Sequence, residues 1–290
     1  MNSLSKPGQA RVNTLGVGGS GDDGIADDKK PPESGVQRGL ETRLVLLSGS
    51  ILAFVCTPIA YVCYALTEQP RYHARHRQPL PIITDMFTDW PLLSSILFGT
   101  GMTMLFAGIL VIVTYDIPAV TELRSARTIL FTLSLISIFS LWPMLASSRD
   151  TSSMAGSDAS SFNNVHHVST FFLMVSAIVS LYEAKWMCAY FAHQLVAAQE
   201  KGGREAHADP TKWLPLALSA AEACFWVALA GVVGATASVL ATLWAADNAA
   251  RNAPWQVLAC CEILVLECGG IGYFWVIYAY AILEERARGV

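Results

Sequence analysis

Apolar and polar positions in this 290-residue chain fall into long blocks rather than short alternations. Residues 1 to about 41 carry Gly, Ser, Asp and Lys with almost no large apolar side chain. After them come six apolar segments: Leu44 to Leu66, Leu92 to Tyr115, Thr128 to Ala146, Val168 to Tyr190, Trp213 to Ala246 and Trp255 to Leu283. A helix rising ~1.5 Å per residue needs ~20 residues to cross ~30 Å of hydrocarbon, and each segment is about that long or longer. The pattern predicts an all-α polytopic membrane protein with six transmembrane helices. Its expected parts are a disordered cytosolic tail over residues 1–41, a six-helix membrane domain over 42–285, and a short cytosolic tail over 286–290.

Finer features of the pattern refine these elements. The tail cannot bury enough apolar surface to offset its ordering entropy. Gly16-Val17-Gly18-Gly19-Ser20-Gly21 fits GxGxxG in spacing, but no strand precedes it and no helix follows, so it reads as flexible linker. The fourth and fifth segments run past the needed length, and their excess holds Glu183, Lys185, His193 and Lys212. They are expected to project beyond the membrane on one side and frame a polar loop from Lys201 to Pro210. Pro58 and Pro143 predict local kinks, because each removes a backbone N–H from a helix. Gly231-Val232-Val233-Gly234 predicts a close helix approach. Between the first two segments, Leu80 to Pro91 packs prolines, aspartates and aromatics together, as expected of a stiff stretch that turns the chain back into the bilayer.

Lys and Arg set the orientation. With the N-terminus in the cytosol, eleven fall inside (Lys29, Lys30, Arg38, Arg43, Arg124, Arg127, Lys201, Arg204, Lys212, Arg286, Arg288) and five outside (Arg71, Arg75, Arg77, Arg149, Arg251). The excess predicts that both termini are cytosolic. Three loops then share the lumenal or extracellular side: Thr67 to Trp90, the Ser-rich Ser147 to Asn164, and Ala246 to Pro254. The polar first forty residues lack a signal-peptide core, so insertion is expected to rely on the first transmembrane helix.

Composition agrees with the pattern. The chain is 53% hydrophobic and 14% charged, far below the ~25% charge of soluble domains. A net charge of −4 without a clustered basic face excludes nucleic acid as a partner. Cys56, Cys63, Cys188, Cys224, Cys260, Cys261 and Cys268 lie within apolar runs and lack metal-ligand or disulfide spacing, so they read as small core residues. Cys188, near a helix end expected to be cytosolic, is also a palmitoylation candidate.

Ionisable groups in a span usually face a bundle interior or a polar cavity, because exposure to lipid is costly. Here they are Glu222, Glu262 and Glu267, with Glu183 and Lys185 nearer an interface. Glu262 lies ~10 Å inside its helix, within reach of the lumenal face. His166 and His167 open the fourth span on that face, and Asp85 precedes the second. An imidazole between two carboxylates could hold a proton, ligate a metal or orient a headgroup. Alternatively, Asp85 caps the re-entering chain and His166 donates a hydrogen bond to Glu262. His73 and His76 with Arg71, Arg75 and Arg77 form a basic strip that is either solvated surface or a contact for lipid phosphates. Glu262 and Glu267 are ~140° apart around their helix and do not form an acid/base pair. No HExxH, GxSxG or P-loop is present. The catalytic candidates are His166, Asp85 and Glu262, none backed by a catalytic signature.

Three short motifs resemble the Frag1/DRAM/Sfk1 family, which includes autophagy modulators, a GPI-anchor remodelling factor and the N-terminal region of a yeast cell-wall protein (CWH43-like). Pro81-Ile82-Ile83-Thr84-Asp85 followed by Phe98-Gly99 looks like the family's Pro-x-Ile-Ser-Asp and Phe-Gly around the second helix. Val165-His166, followed by Phe171-Phe172, is similar to its Val-His opening of the fourth helix. Ala259 and Glu262 match its Ala-x-x-Glu in the last. The resemblance covers residues 44 to 285, with Thr84 in place of Ser and the basic strip as departures; Asp85 leans toward the DRAM-like branch. It implies residence in Golgi, lysosomal or plasma membranes, a role in lipid organisation, trafficking or autophagy, membrane lipids with anionic or GPI headgroups and other membrane proteins as partners, and no cofactor. Its alternative is a GPI-anchor lipid remodelling factor using His166 with Asp85 or Glu262. A transporter would show duplicated halves with broken helices, and the sequence has no convincing duplication.

Overall fold

Six stretches of helix among the described residues have the length and apolar character to cross a membrane: Glu41–Thr67, Pro91–Thr114, Arg124–Ser147, Asn164–Gln194, Trp213–Thr242 and Ala253–Glu284. They fall on the six predicted segments within a few residues. The structure is a computed structural model describing residues 33–76, 81–116, 123–147, 156–202, 213–244 and 248–289. It contains no strand among those residues.

The first span is α1 (Glu33–Ile51), a π-helical turn (Leu52–Cys56) and α2 (Thr57–His76). A short helix α3 (Ile83–Asp89) then leads through α4 (Pro91–Ser94) and a second π turn (Ser95–Gly99) into α5 (Thr100–Val111), with a third π turn at Ile112–Asp116. The remaining spans are α6 (Arg124–Ser147), α7 (Gly156–Gly202), α8 (Trp213–Trp244) and α9 (Asn248–Gly289). Helix extends further than the hydropathy pattern suggested. Helix α1 takes in the last residues of the stretch read as a disordered tail, and residues 1–32 lie outside the described ones. The expected loops after the first, third and fifth spans are helical to His76, from Gly156 and from Asn248 respectively. Hydropathy marks where a chain leaves lipid, not where it stops being helical.

The expected overshoot of the fourth span is present, since α7 runs for 47 residues. The fifth is also longer than the ~20 residues needed, since α8 has 32 from Trp213, and the sixth-span helix α9 runs longer still at 42. Lys212 and most of the loop from Lys201 to Pro210 lie outside the described residues.

Packing proceeds in sequential pairs, α1 with α5, α6 with α7 and α8 with α9, while α9 also touches α1, α3 and α7. Glycine brings the first pair into backbone contact. A Cβ on Gly49 would lie 2.7 Å from the Gly101 carbonyl oxygen, and one on Gly101 would lie 2.6 Å from the Ala53 nitrogen. The expected approach at Gly231 is also found, with a Cβ there 2.8 Å from Val265 Cγ2. Buried hydroxyls join other helices: Ser137 and Ser176 lie 2.8 Å apart between α6 and α7, and Tyr273 donates to the Ala177 carbonyl at 2.7 Å between α9 and α7. Lys185 Nζ pairs with Glu222 at 2.8 Å between α7 and α8. Arg43 Nε donates to Glu284 at 2.6 Å, fastening α1 to α9 and bringing the outer ends of the first and last spans together. Large apolar side chains such as Leu66, Leu92, Phe139 and Trp226 point outward, as a lipid-facing surface requires.

The proline at the first predicted kink accounts for the first π turn. Pro58 has no N–H for the Phe54 carbonyl, and the preceding Thr57 N–H bonds back five residues to Leu52. The Thr57 hydroxyl donates to the same carbonyl at 3.0 Å. Pro143 is carried within the continuous α6.

Candidate functional site: a polar-capped cavity under α3

The stretch from Leu80 to Pro91 turns the chain back toward the bundle through α3. Ile83, Met86 and Phe87 are buried on one face of this helix, and Asp89 is exposed. Two tyrosines one turn apart on α2 hold its ends. Tyr61 donates to the Pro81 carbonyl at 2.6 Å, and Tyr64 donates to Asp89 Oδ2 at 2.7 Å while meeting Trp90 edge-on at 5.3 Å. Beyond α3 the chain turns at Trp90-Pro91, where the Ser94 hydroxyl donates to the Trp90 carbonyl at 2.9 Å.

Helix N-termini leave backbone N–H groups without intrahelical partners, and two carboxylates meet them here. Asp85 reaches back to accept from the Ile82 N–H at 3.0 Å, while its own N–H donates to the Ile82 carbonyl at 3.0 Å. Glu262 comes from α9, 179 residues away, with Oε2 accepting from the Ile83 N–H at 3.0 Å and Oε1 from the Thr84 hydroxyl at 3.2 Å. Asp85 therefore caps the re-entering chain, and Glu262 anchors that cap to the last span. Both Glu262 oxygens act as acceptors.

His166 has a different setting from the one expected. It is 7% exposed, and its Nδ1 lies 3.1 Å from the Met144 carbonyl, so that nitrogen carries the proton and covers a carbonyl near the end of α6. Its Nε2 is 3.4 Å from the Thr170 hydroxyl, which also donates to the His166 carbonyl at 2.8 Å. The anticipated bond to Glu262 is replaced by these two contacts. Asp85 and Glu262 are thus gathered at α3, while His166 joins the arrangement through Met144 and Thr170.

Thr84, Glu262, Met144 and Thr170 all border one cavity of about 90 Å³. Every span except the fifth contributes to its wall, and α3 adds Ile83, Thr84 and Phe87. Below the polar rim the lining is apolar: Phe98, Met102, Leu173, Ile178 and Leu266 lead down to Tyr273. Phe98 stacks on Phe87 at 5.2 Å between ring centres. Phe54 and Phe98 both belong to π turns, so the local departures from α geometry carry two of the cavity's aromatic walls.

Other sequence candidates fall elsewhere. The basic strip is on helical backbone as far as His76, and Arg77 lies outside the described residues. Cys188 is 5% exposed with Sγ 3.9 Å from the Val276 carbonyl, a packed position closed to an acylating enzyme. Cys63 and Cys260 are exposed on the outer surface rather than in the core. Sequence reading missed Tyr61, Tyr64, Thr170 and Tyr273. The i, i+3 spacing of Tyr61 and Tyr64 near the end of an apolar run was the available signal for the first two. Among the described residues, no three His, Cys, Asp or Glu side chains gather as a metal site. Compared with family models, curated proteins and solved structures, the chain has no match.

Proposed function

We propose that this integral membrane protein is a non-enzymatic, DRAM-like regulator of membrane and lipid organisation that binds a membrane lipid at the cavity under α3, with the first few methylenes of one acyl chain inside it. The observation that carries this reading is the division of that cavity into an apolar shaft and a polar rim of Thr84, Thr170 and Glu262. A headgroup at the rim would meet hydroxyls and a carboxylate, while its chain would meet methyl groups and aromatic rings. With both termini cytosolic, as the Lys and Arg distribution indicates, the rim belongs to the lumenal or extracellular leaflet. The motif resemblance supports a role in trafficking or autophagy in Golgi, lysosomal or plasma membranes.

The test is lipid analysis of the purified protein beside a variant with a filled shaft. Gly269 borders the cavity, and a Cβ there would meet only Ile178 Cδ1, at an ordinary 3.7 Å. Gly269→Leu should therefore leave folding intact while displacing the lipid enriched with the wild type. A wild-type lipid profile identical to that of the bulk membrane would overturn the reading.

One observation favours GPI-anchor lipid remodelling as a second reading. The Thr170 hydroxyl, His166 Nε2 and the Met144 carbonyl behind Nδ1 line up as nucleophile, base and orienting group. Against it, the Thr170 proton is directed to the nearer His166 carbonyl. Loss of GPI lipid exchange in both His166→Ala and Thr170→Val at normal protein abundance would favour this second reading over the first.

A further inference from the structure

Glu267 stands near the middle of the last span, Ala253–Glu284, without a hydrogen-bond or ion-pair partner among the described residues. About 21 Å of helix separates it from Ala253 and about 26 Å from Glu284, too far for so short a side chain to bring its carboxylate to water. Other charges in or beside the spans are met: Lys185 by Glu222 at 2.8 Å, Arg43 by Glu284 at 2.6 Å, and Glu262 by the start of α3. An ionisable group inside a membrane is costly unless it is paired, so Glu267 calls for an explanation that the rest of the bundle does not supply.

Its place on α9 is an outer seam. Helix α8 packs against Cys261 and Val265, and α1 packs against Gly270. On the surface between those two contacts lie Cys260, Leu264, Glu267, Ile271, Phe274 and Tyr278, spaced alternately four and three residues apart. Leu264, Ile271 and Tyr278 are 38%, 47% and 45% exposed. Cys260 is exposed as well, while Glu267 and Phe274 are half-buried. This alternation is the spacing by which one helix offers knobs to another in a left-handed pair, a common crossing in membranes. Lipid tails can cover the apolar members of the seam but offer no hydrogen-bond or ion-pair partner to a carboxylate.

We propose that this seam of α9 is the docking face for a transmembrane helix of another protein, one that carries a single Lys or Arg near the middle of its span. Charge complementarity selects the occupant. A second copy of the chain would bring another carboxylate to the same depth, and like charges repel. Lys185, the cation deep in a span of this chain, is already paired. A basic residue at mid-span on a different helix meets Glu267 in lipid and relieves both charges at once. Glu183 on α7 also lacks such a partner among the described residues, but Ser180 and Met187, three before and four after it, are buried. The same positions around Glu267 are the exposed Leu264 and Ile271, so the seam belongs to α9 alone of the two.

The experiment measures energy transfer in phosphatidylcholine vesicles between full-length protein carrying a donor dye and an acceptor-labelled synthetic helix of Leu and Ala with one central Lys. With its charge at the centre, the peptide meets Glu267 in either direction of insertion. Wild type should bind it roughly 3- to 20-fold more tightly than a sibling with Leu at the centre. That preference should vanish in Glu267→Gln and Glu267→Leu, which take a charge out of lipid and should fold at least as well as wild type. Glu183→Gln should keep it. Equal binding of the two peptides by wild type, or a preference that survives Glu267→Leu, would overturn the proposal. Energy transfer between donor- and acceptor-labelled copies of the protein that is lost in Glu267→Leu would give the seam to a second copy and overturn it too.

Discussion

At the scale of single residues, Glu262 links the last span to the cap of a distant helix. Removing its carboxylate strands the N–H of Ile83 at the buried start of α3. Each stranded N–H costs about 1–3 kcal/mol. Glu262→Ala should therefore lower the thermal stability of the purified protein markedly. Glu262→Gln, which keeps one acceptor oxygen, should lower it less, as a melting series in detergent would show; equal losses would mean that the bond to Ile83 contributes nothing. Asp85, His166 and Glu262 were legible in the sequence because polar groups in or beside apolar spans are costly and need a reason. The partner of His166 was not legible, because the Met144 carbonyl becomes available only where α6 ends. Tyr61 and Tyr64 were hidden for a related reason, since tyrosines near a membrane boundary are ordinary until their hydroxyls are seen to hold α3.

At the scale of helices, glycine placement makes opposite predictions at two positions. A Cβ on Gly101 would meet the Ala53 nitrogen at 2.6 Å and the Gly49 carbonyl oxygen at 2.9 Å, and a side chain there would separate α1 from α5. Gly101→Val should cost about 1–3 kcal/mol or more and reduce the amount of folded protein recovered, measured as the monodisperse fraction on size exclusion. Gly269, which borders the cavity and would give a Cβ only an ordinary contact at 3.7 Å, should accept leucine without that loss. The six spans were legible because a run of ~20 apolar residues leaves few alternatives. Their ends were not, because helix continues into polar sequence at α2, α7 and α9. Two of the three π turns also escaped the pattern. Only Pro58 announced one of them, and it did so as an expected kink.

At the scale of the whole molecule, the proposed orientation sets the α3 end apart from the end where Arg43 meets Glu284. In a version with the native cysteines replaced by serine, Asp89→Cys on the exposed side of α3 should react with a membrane-impermeant maleimide applied from the lumenal or extracellular face. Labelling only from the cytosolic face would reverse the topology. The charge count is what proposes that orientation, whereas the cavity was not readable from the sequence at all. Its wall draws on residues from Phe54 to Tyr273, and no local pattern announces a space shared by five spans.

The last helix carries Glu262, Tyr273 and Glu284, and so supplies the anchor of α3, the floor of the cavity and the fastening to α1. Chains are made from the N-terminus, so the first five spans must be held in the membrane before any of these contacts can form. A ribosome that stops short of α9 releases a bundle with an unanchored cap and an open side. The cavity is therefore closed only once α9 has been made and inserted beside the earlier spans, and α3 stays without its anchor until then.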